Sequence, residues 1–275
     1  MTALKKSNLR NYLSRPVISK EHGAYAILLV PLLTGFIASR NKSAYALVLV
    51  FSTLFFFLAH QPFEILLSGN KQNLHGYKQA NAKFWLITYF ILGSVLGLIA
   101  IVIAGNYLLF IFAGISALFF SLQQALTRGQ KFNRMREIPG IMALVSGAPA
   151  MLCFLDGALT FQMINLWVFN ALFFLSSSFF VHLKVSERGL EKEKIISPGY
   201  QKTLYFNLFY QSAVLILLIG LYATRFINFT VIIAFLPMIL HCLLRALPDK
   251  KPVSFRIVGL LFLAYSVFFG ILLAV

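Results

Sequence analysis

The sequence predicts an all-α membrane protein, a polytopic transmembrane bundle of nine helices that forms a single domain over residues 1–275. Three observations predict this fold class. The chain is 59% hydrophobic and only 12% charged, whereas a soluble domain is about one quarter charged. Its apolar residues fall into nine runs, most of them close to the ~20 residues that cross a bilayer. Its basic residues gather in alternate connections between these runs.

The nine apolar segments are separated by short polar connections. The first segment is shorter than a typical membrane span, so its helix has to include preceding polar residues, tilt little or thin the membrane locally. Prolines within the first, fifth and eighth segments, Pro31, Pro149 and Pro237, are expected to kink them. The segments are Ala24–Ala38, Ala44–Leu67, Phe84–Ala104, Tyr107–Leu126, Ile138–Leu155, Met163–Val181, Leu204–Thr224, Phe226–Leu247 and Phe255–Val275.

Lysine and arginine are distributed unequally between the two sides of this bundle. With the amino terminus inside, 21 of the 24 basic residues lie in the inner segments and three lie in outer loops. The positive-inside rule therefore predicts a cytoplasmic amino terminus and an outside carboxyl terminus. Residues 1–22 form a basic cytoplasmic segment without an apolar core or a cleavage site, so we expect the first helix to be a retained anchor.

The remaining composition excludes several function classes. A formal charge of +16 spread over short loops favours attraction to anionic lipid headgroups of the bilayer rather than to nucleic acid. The two cysteines lie inside apolar runs, which excludes a disulfide framework or a cysteine-based metal motif. A glycine-rich phosphate loop, a zinc-protease motif and a nucleophile elbow are all absent from the sequence, so nucleotide-driven and hydrolase functions lack support.

Titratable side chains collect on the predicted cytoplasmic half because charge is costly in hydrocarbon. All five histidines map there, and so do all acidic residues except Asp156, which belongs to a predicted outer turn with Gly157. The midplane of the bundle is predicted to be apolar. The histidines are His22, His60, His75, His182 and His241.

The second segment ends with a histidine and a glutamate four residues apart, His60 and Glu64. If the helix continues through Pro62, the two side chains share one face. Such a pair can ligate a divalent ion or share a proton. The alternative is that the two residues only satisfy each other at the membrane boundary.

The sixth segment is followed by the polar residues Lys184, Glu187 and Glu191, which we expect to line a polar mouth. The alternative is a solvated, mixed-charge helix end, and it applies best to residues 191–194. Before the fifth segment, Arg134 and Arg136 precede a helix start, where arginines and free backbone N–H groups form an anion site. A lipid headgroup is the alternative ligand there.

The stretch Lys-Glu-His-Gly-Ala-Tyr-Ala at positions 20–26, leading into Pro31 and Gly35, resembles the opening signature of the YwiC-like family of bacterial membrane proteins. Two further stretches resemble that family: Arg136-Glu137 with Gly140, and Lys184 followed by Glu187-Arg188-Gly189. The resemblance spans most of the chain. It implies a multi-pass protein of the bacterial cytoplasmic membrane.

The architecture is also similar, more distantly, to the UbiA-type intramembrane prenyltransferases. That likeness rests on nine helices, an inside amino terminus and polar motifs where helices 2 and 6 leave the membrane. It implies Mg²⁺ and a prenyl-diphosphate donor held by two aspartate-rich motifs. This sequence departs from the family pattern, because it has His60, Glu64 and Ser68 at the first motif and Glu187 and Glu191 at the second.

The predicted function is therefore an intramembrane transferase acting on a prenyl-diphosphate or other lipophilic substrate at the cytoplasmic face. The alternative is a small-molecule transporter or a non-catalytic lipid-binding protein, and the predicted apolar midplane argues against ion-coupled transport. The predicted roles are catalytic for His22 and His60, substrate binding for Lys20, Arg134, Arg136, Lys184 and Arg188, and Mg²⁺ binding for Glu64 and Glu187.

Overall fold

The computed structural model describes residues 15–19, 22–67, 76–128, 136–193, 198–246 and 255–274, and all regular structure in them is helical. The helices are α1 His22–Ala38, α2 Ala46–Leu67, α3 Gly76–Ala104, α4 Leu109–Arg128, α5 Glu137–Val145, α6 Gly147–Asp156, α7 Phe161–Glu193, α8 Pro198–Ala223, α9 Phe229–Leu244 and α10 Phe255–Ala274.

These helices confirm the predicted fold class over the described residues. Each of the nine apolar segments is helical, and α5 and α6 together form the fifth segment. By length and apolar composition, seven helical stretches there are able to cross a membrane, while α1 and α9 are apolar but shorter. The protein is therefore a multi-pass membrane protein. Which side the amino terminus occupies stays a prediction.

Contacts between residues divide the chain into two compact units. Unit 1 comprises residues 1–22 and 43–106, and unit 2 comprises residues 23–42 and 107–275. In unit 1, α2 and α3 approach closely along small residues. The Ser52 hydroxyl donates to the Gly93 carbonyl oxygen over 2.8 Å, and a Cβ atom added to Gly97 would lie 3.1 Å from the Ser52 hydroxyl oxygen. Small residues therefore set the spacing of this helix pair.

Unit 2 is organised around α7, which packs against α5, α6, α8, α9 and α10. Its aromatic core centres on the fully buried Phe173. The Phe173 ring stacks on that of Phe269 at a centroid distance of 4.0 Å and meets Phe235 edge-on at 5.9 Å. The helix thus positions its neighbours through large aromatic contacts, which stabilise cores beyond the area they bury.

The span made by α5 and α6 is interrupted at Ser146. Pro149 has no N–H to donate to the Val145 carbonyl, so one helical hydrogen bond is missing near the middle of the span. The Ser146 hydroxyl lies 2.6 Å from that of Ser116 on α4. An interruption of the helix thus precedes Pro149, whereas Pro31 and Pro237 lie inside uninterrupted helices, and the kinks stay predictions.

The predicted Asp156–Gly157 turn is confirmed, and it joins two parts of unit 2. Gly157 has a φ of 76° and ends α6 with its N–H bonded to the Cys153 carbonyl oxygen, a left-handed conformation that glycine adopts without strain. The Asp156 carboxylate accepts a 2.7 Å hydrogen bond from the Ser39 hydroxyl and a 3.2 Å bond from the Asn41 N–H. Asp156 therefore fixes the chain just after α1.

Candidate functional site

The His60–Glu64 pair forms as the sequence predicts. Helix α2 continues through Pro62 to Leu67. Nε2 of His60 lies 3.5 Å from Oε1 of Glu64, and the two side chains are 25% and 38% exposed. The prediction that they share a helix face is confirmed. The Glu64 carboxylate is accessible to an ion, which is the property that its predicted metal role requires.

The Lys184–Glu187 pair also forms, but it is buried. Helix α7 extends to Glu193, beyond the predicted end of the apolar segment at Val181, so both residues lie on a helix. Nζ of Lys184 is 2.8 Å from Oε2 of Glu187, and the side chains are only 1% and 7% exposed. The ammonium group also lies 5.7 Å from the centroid of the Phe180 ring. Each charge compensates the other in a place without water.

A third cluster, which the sequence did not single out as a site, joins α5 to α7. The Glu137 Oε1 lies 2.8 Å from Nε2 of His182, at hydrogen-bonding distance. The Glu137 Oε2 accepts a 2.5 Å hydrogen bond from the Ser178 hydroxyl. His182 is 25% exposed and Glu137 is 37% exposed, so the cluster is accessible. We call these three residues the α5–α7 cluster.

The position of Glu137 explains why a carboxylate is stable there. It is the first residue of α5, and Arg136 immediately precedes it. A helix amino terminus and a neighbouring guanidinium both stabilise negative charge. Ser178 and His182 are one helical turn apart on α7, so one face of that helix presents both partners to the carboxylate.

The α5–α7 cluster and the Lys184–Glu187 pair lie on different faces of α7. At 100° per residue, Lys184 and Glu187 are rotated by roughly 140–200° from His182 around the helix axis. A single helix therefore holds a buried charge pair on one side and an accessible one on the other. The sequence interpretation, which grouped these polar residues in one mouth, did not separate the two faces.

The remaining predicted site residues are only partly described. Lys20 and Arg134 lie outside the described residues, as do the side chains of His22 and Arg188. Arg136 is described at the start of α5. Within the described residues, no group of three or more His, Cys, Asp or Glu side chains is placed to hold a metal. The Mg²⁺ site at Glu64 and Glu187 stays a prediction.

Buried amides in α8 were also missed by the sequence interpretation. The buried face of α8 includes Thr203, Asn207 and Gln211. Both amides are completely buried. Gln211 donates to the Ser176 carbonyl oxygen over 3.2 Å, but its Oε1 and both amide atoms of Asn207 have no hydrogen-bond partner among the described residues. Asn207 and Gln211 are thus buried polar groups within the seventh apolar segment, while the apolar midplane stays a prediction.

A sequence signal for these amides exists. Positions 203, 207 and 211 are all polar and repeat at one helical turn, the first just before the seventh apolar segment and the other two inside it. The two buried amides were not predicted as polar features because amides do not titrate and the prediction considered only titratable side chains. The α5–α7 cluster has no such signal, because Glu137 and His182 are 45 positions apart in the sequence and meet only through packing.

Comparison with known proteins agrees with the first resemblance. Residues 18–152 match the family model described as YwiC-like protein. Neither the comparison with curated proteins nor that with solved structures gave a significant match. The likeness to UbiA-type prenyltransferases therefore stays a prediction. Through residues 18–152, just under half of its length, this chain is similar to the YwiC-like family of proteins.

Proposed function

We propose that this YwiC-like, multi-span membrane protein is an intramembrane transferase that acts on a lipophilic substrate of the prenyl-diphosphate type at the predicted cytoplasmic face. The observation that carries the proposal is the accessible α5–α7 cluster of Glu137, His182 and Ser178. It combines a carboxylate, an imidazole and a hydroxyl at one end of two apolar helices. Catalytic groups at the boundary between lipid and water can reach the polar head of a substrate while its apolar tail stays in the lipid.

The chain's residues fit the other needs of this chemistry. A diphosphate requires cationic groups, and Arg136 at the amino terminus of α5 would supply one. The prenyl tail of the substrate requires apolar surroundings, which the nine apolar segments and 29 phenylalanines would supply. Charge on the leaving diphosphate is neutralised when Mg²⁺ is bound. In unit 1, Glu64 has an accessible carboxylate that suits a metal ligand; in unit 2, Glu187 would first have to exchange its bond to Lys184.

The test is turnover by the purified full-length protein in lipid nanodiscs. With Mg²⁺, isoprenyl diphosphates of several chain lengths and phenol or amine acceptors, we expect release of diphosphate and a prenylated product. Glu64→Gln should abolish turnover because it removes the accessible carboxylate. Lys202→Met, at an exposed position of α8, is the matched control and should retain turnover. Absence of product with every donor and acceptor would remove the transferase proposal.

A second candidate function, transport of a small polar molecule, is favoured by the buried amides of α8. Asn207 and Gln211 carry hydrogen-bonding groups that the described residues do not satisfy, and transporters place polar groups of this kind near broken helices. The interrupted span at Ser146 is such a break. Uptake of small polyols or amino acids into proteoliposomes that is lost in Asn207→Leu but kept in Gln201→Leu, an exposed position of α8, would favour this function over the transferase.

A further inference from the structure

We propose that His182 is the general base of the transfer reaction, and that Glu137 and Ser178 are positioning residues that orient its ring. This inference rests on the proposed transferase function and names the group that receives the acceptor's proton. The chemical class of acceptor it requires is one with a removable proton on a nucleophilic atom, such as a phenol, an alcohol or an amine.

The first step concerns which nitrogen of His182 carries a proton. The Glu137 carboxylate accepts from the Ser178 hydroxyl through Oε2 and faces Nε2 of His182 through Oε1, at 2.8 Å. An ionised carboxylate can only accept, so this contact favours a proton on Nε2, although Nε2 makes no hydrogen bond of regular geometry. In the neutral ring this leaves the lone pair on Nδ1. A carboxylate that holds one ring nitrogen in this way fixes both the tautomer and the direction of the other.

The second step concerns access to the ring. Nε2 is buried, yet a quarter of the His182 side chain is exposed. The exposed surface therefore lies on the other atoms of the side chain, a set that contains Nδ1. The proposal requires the substrate to approach from that side, where it would meet the unprotonated nitrogen.

The third step concerns the surrounding charges. From α5, the Glu137 carboxylate lies 2.8 Å from the imidazole, and Arg136 precedes Glu137 in the chain. On α7 itself, Lys184 and Glu187 compensate each other on another face of the helix. The carboxylate of Glu137 is thus the group that directly stabilises the imidazolium formed during the reaction. Ser178 holds the second carboxylate oxygen, so the carboxylate plane does not rotate away.

The reaction step then balances as follows. Nδ1 of His182 accepts the proton from the O–H or N–H of the acceptor. The electron pair of that atom forms a bond to the first carbon of the prenyl chain. The bond from this carbon to the diphosphate oxygen breaks, and diphosphate leaves with the bonding electrons. The imidazolium later releases its proton to water, and no oxidant or reductant takes part.

One readout tests the ring orientation without depending on turnover. In nanodiscs, ¹⁵N-histidine-labelled protein is compared with His182→Gln, which assigns the His182 signals by their loss. We expect neutral His182 to carry its proton on Nε2. Glu137→Gln replaces an obligatory acceptor with an amide that also donates, so the preference for this tautomer should disappear. A proton on Nδ1 in the unaltered protein would overturn the proposal.

A second readout tests the base itself through kinetics. His182→Gln should lower kcat by at least about 10²-fold, the contribution expected of a general base, while KM changes much less. The deficit should shrink with an acceptor phenol that is already ionised at the assay pH, because no proton then needs removal. Ser178→Ala should give a smaller loss, and its matched control Ser177→Ala should give none, since Ser177 donates within its own helix to the Phe174 carbonyl.

The outcomes separate the two proposals. Turnover that is insensitive to His182→Gln, or equally reduced for ionised and un-ionised acceptors, would overturn the base role and leave the transferase standing. Absence of turnover with every donor would remove the transferase and the base role together. In that case the tautomer measurement still decides whether Glu137 orients His182.

Discussion

The two faces of α7 carry charge pairs of similar composition in opposite environments. On one face, Lys184 and Glu187 are 1% and 7% exposed. On the other, His182 and Glu137 are 25% and 37% exposed. The buried pair satisfies its own charges without access to substrate. The accessible pair joins two helices and leaves part of a titratable ring open, so it is the better candidate for chemistry.

This difference has an energetic reason. Removing two charges from water is costly, and their mutual attraction offsets that cost only while both are present. A buried pair is thus sensitive to loss of either partner, whereas a half-exposed pair is screened by solvent and contributes little. Burial therefore separates a pair whose loss unfolds the protein from one whose loss changes its activity.

The largest expected effect is at the buried pair. Lys184→Met removes the ammonium group that lies 2.8 Å from the Glu187 carboxylate, which is 7% exposed, and should lower the free energy of unfolding by about 3–5 kcal/mol. Reversible unfolding by SDS in mixed micelles measures it. Lys202→Met, which removes an exposed lysine, is the control and should change stability little.

The double variant Lys184→Met/Glu187→Leu sharpens this comparison. It removes both charges, so most of the lost stability should return. If Lys184→Met were as stable as the unaltered protein, the Glu187 carboxylate would have to be stabilised by another group. The contrast drawn between the two faces of α7 would then be wrong.

At α8 we expect a gain in the free energy of unfolding, of intermediate size, when a buried amide without a hydrogen-bond partner among the described residues is replaced. Asn207 is completely buried and its amide has no hydrogen-bond partner among the described residues. Asn207→Leu should therefore raise the free energy of unfolding by about 1–3 kcal/mol. The same unfolding assay measures it, with Gln201→Leu at an exposed position as the control. A loss of stability would show that Asn207 is satisfied in the membrane.

The smallest effect is expected at the half-exposed pair of α2. Glu64→Gln removes a 3.5 Å contact to His60 between side chains that are 38% and 25% exposed. Such pairs contribute about 0–1 kcal/mol, so the unfolding transition should shift little. Lost turnover with unchanged stability would then report chemistry. A decrease of more than about 2 kcal/mol in the free energy of unfolding would mean that this pair behaves like the buried Lys184–Glu187 pair rather than like a half-exposed pair.

Several site contacts were predictable because they are local. His60 and Glu64 are four residues apart, and only the passage of the helix through Pro62 was needed to pair them. Lys184 and Glu187 are three apart, and only the extension of α7 was needed. Their degree of burial was not predictable, because it depends on what packs against each face.

By itself, the sequence determined that this chain is an all-α, multi-span membrane protein, because apolar runs of about 20 residues bury their backbone polar groups only as helices in lipid. It also determined the turn at Gly157 and the break near Pro149, which follow from local backbone chemistry. The tertiary structure alone decided that Glu137 meets His182 and Ser178, and that Asn207 is buried without a hydrogen-bond partner among the described residues. These outcomes depend on which helix faces pack together, and that choice is made by contacts between residues far apart in the chain.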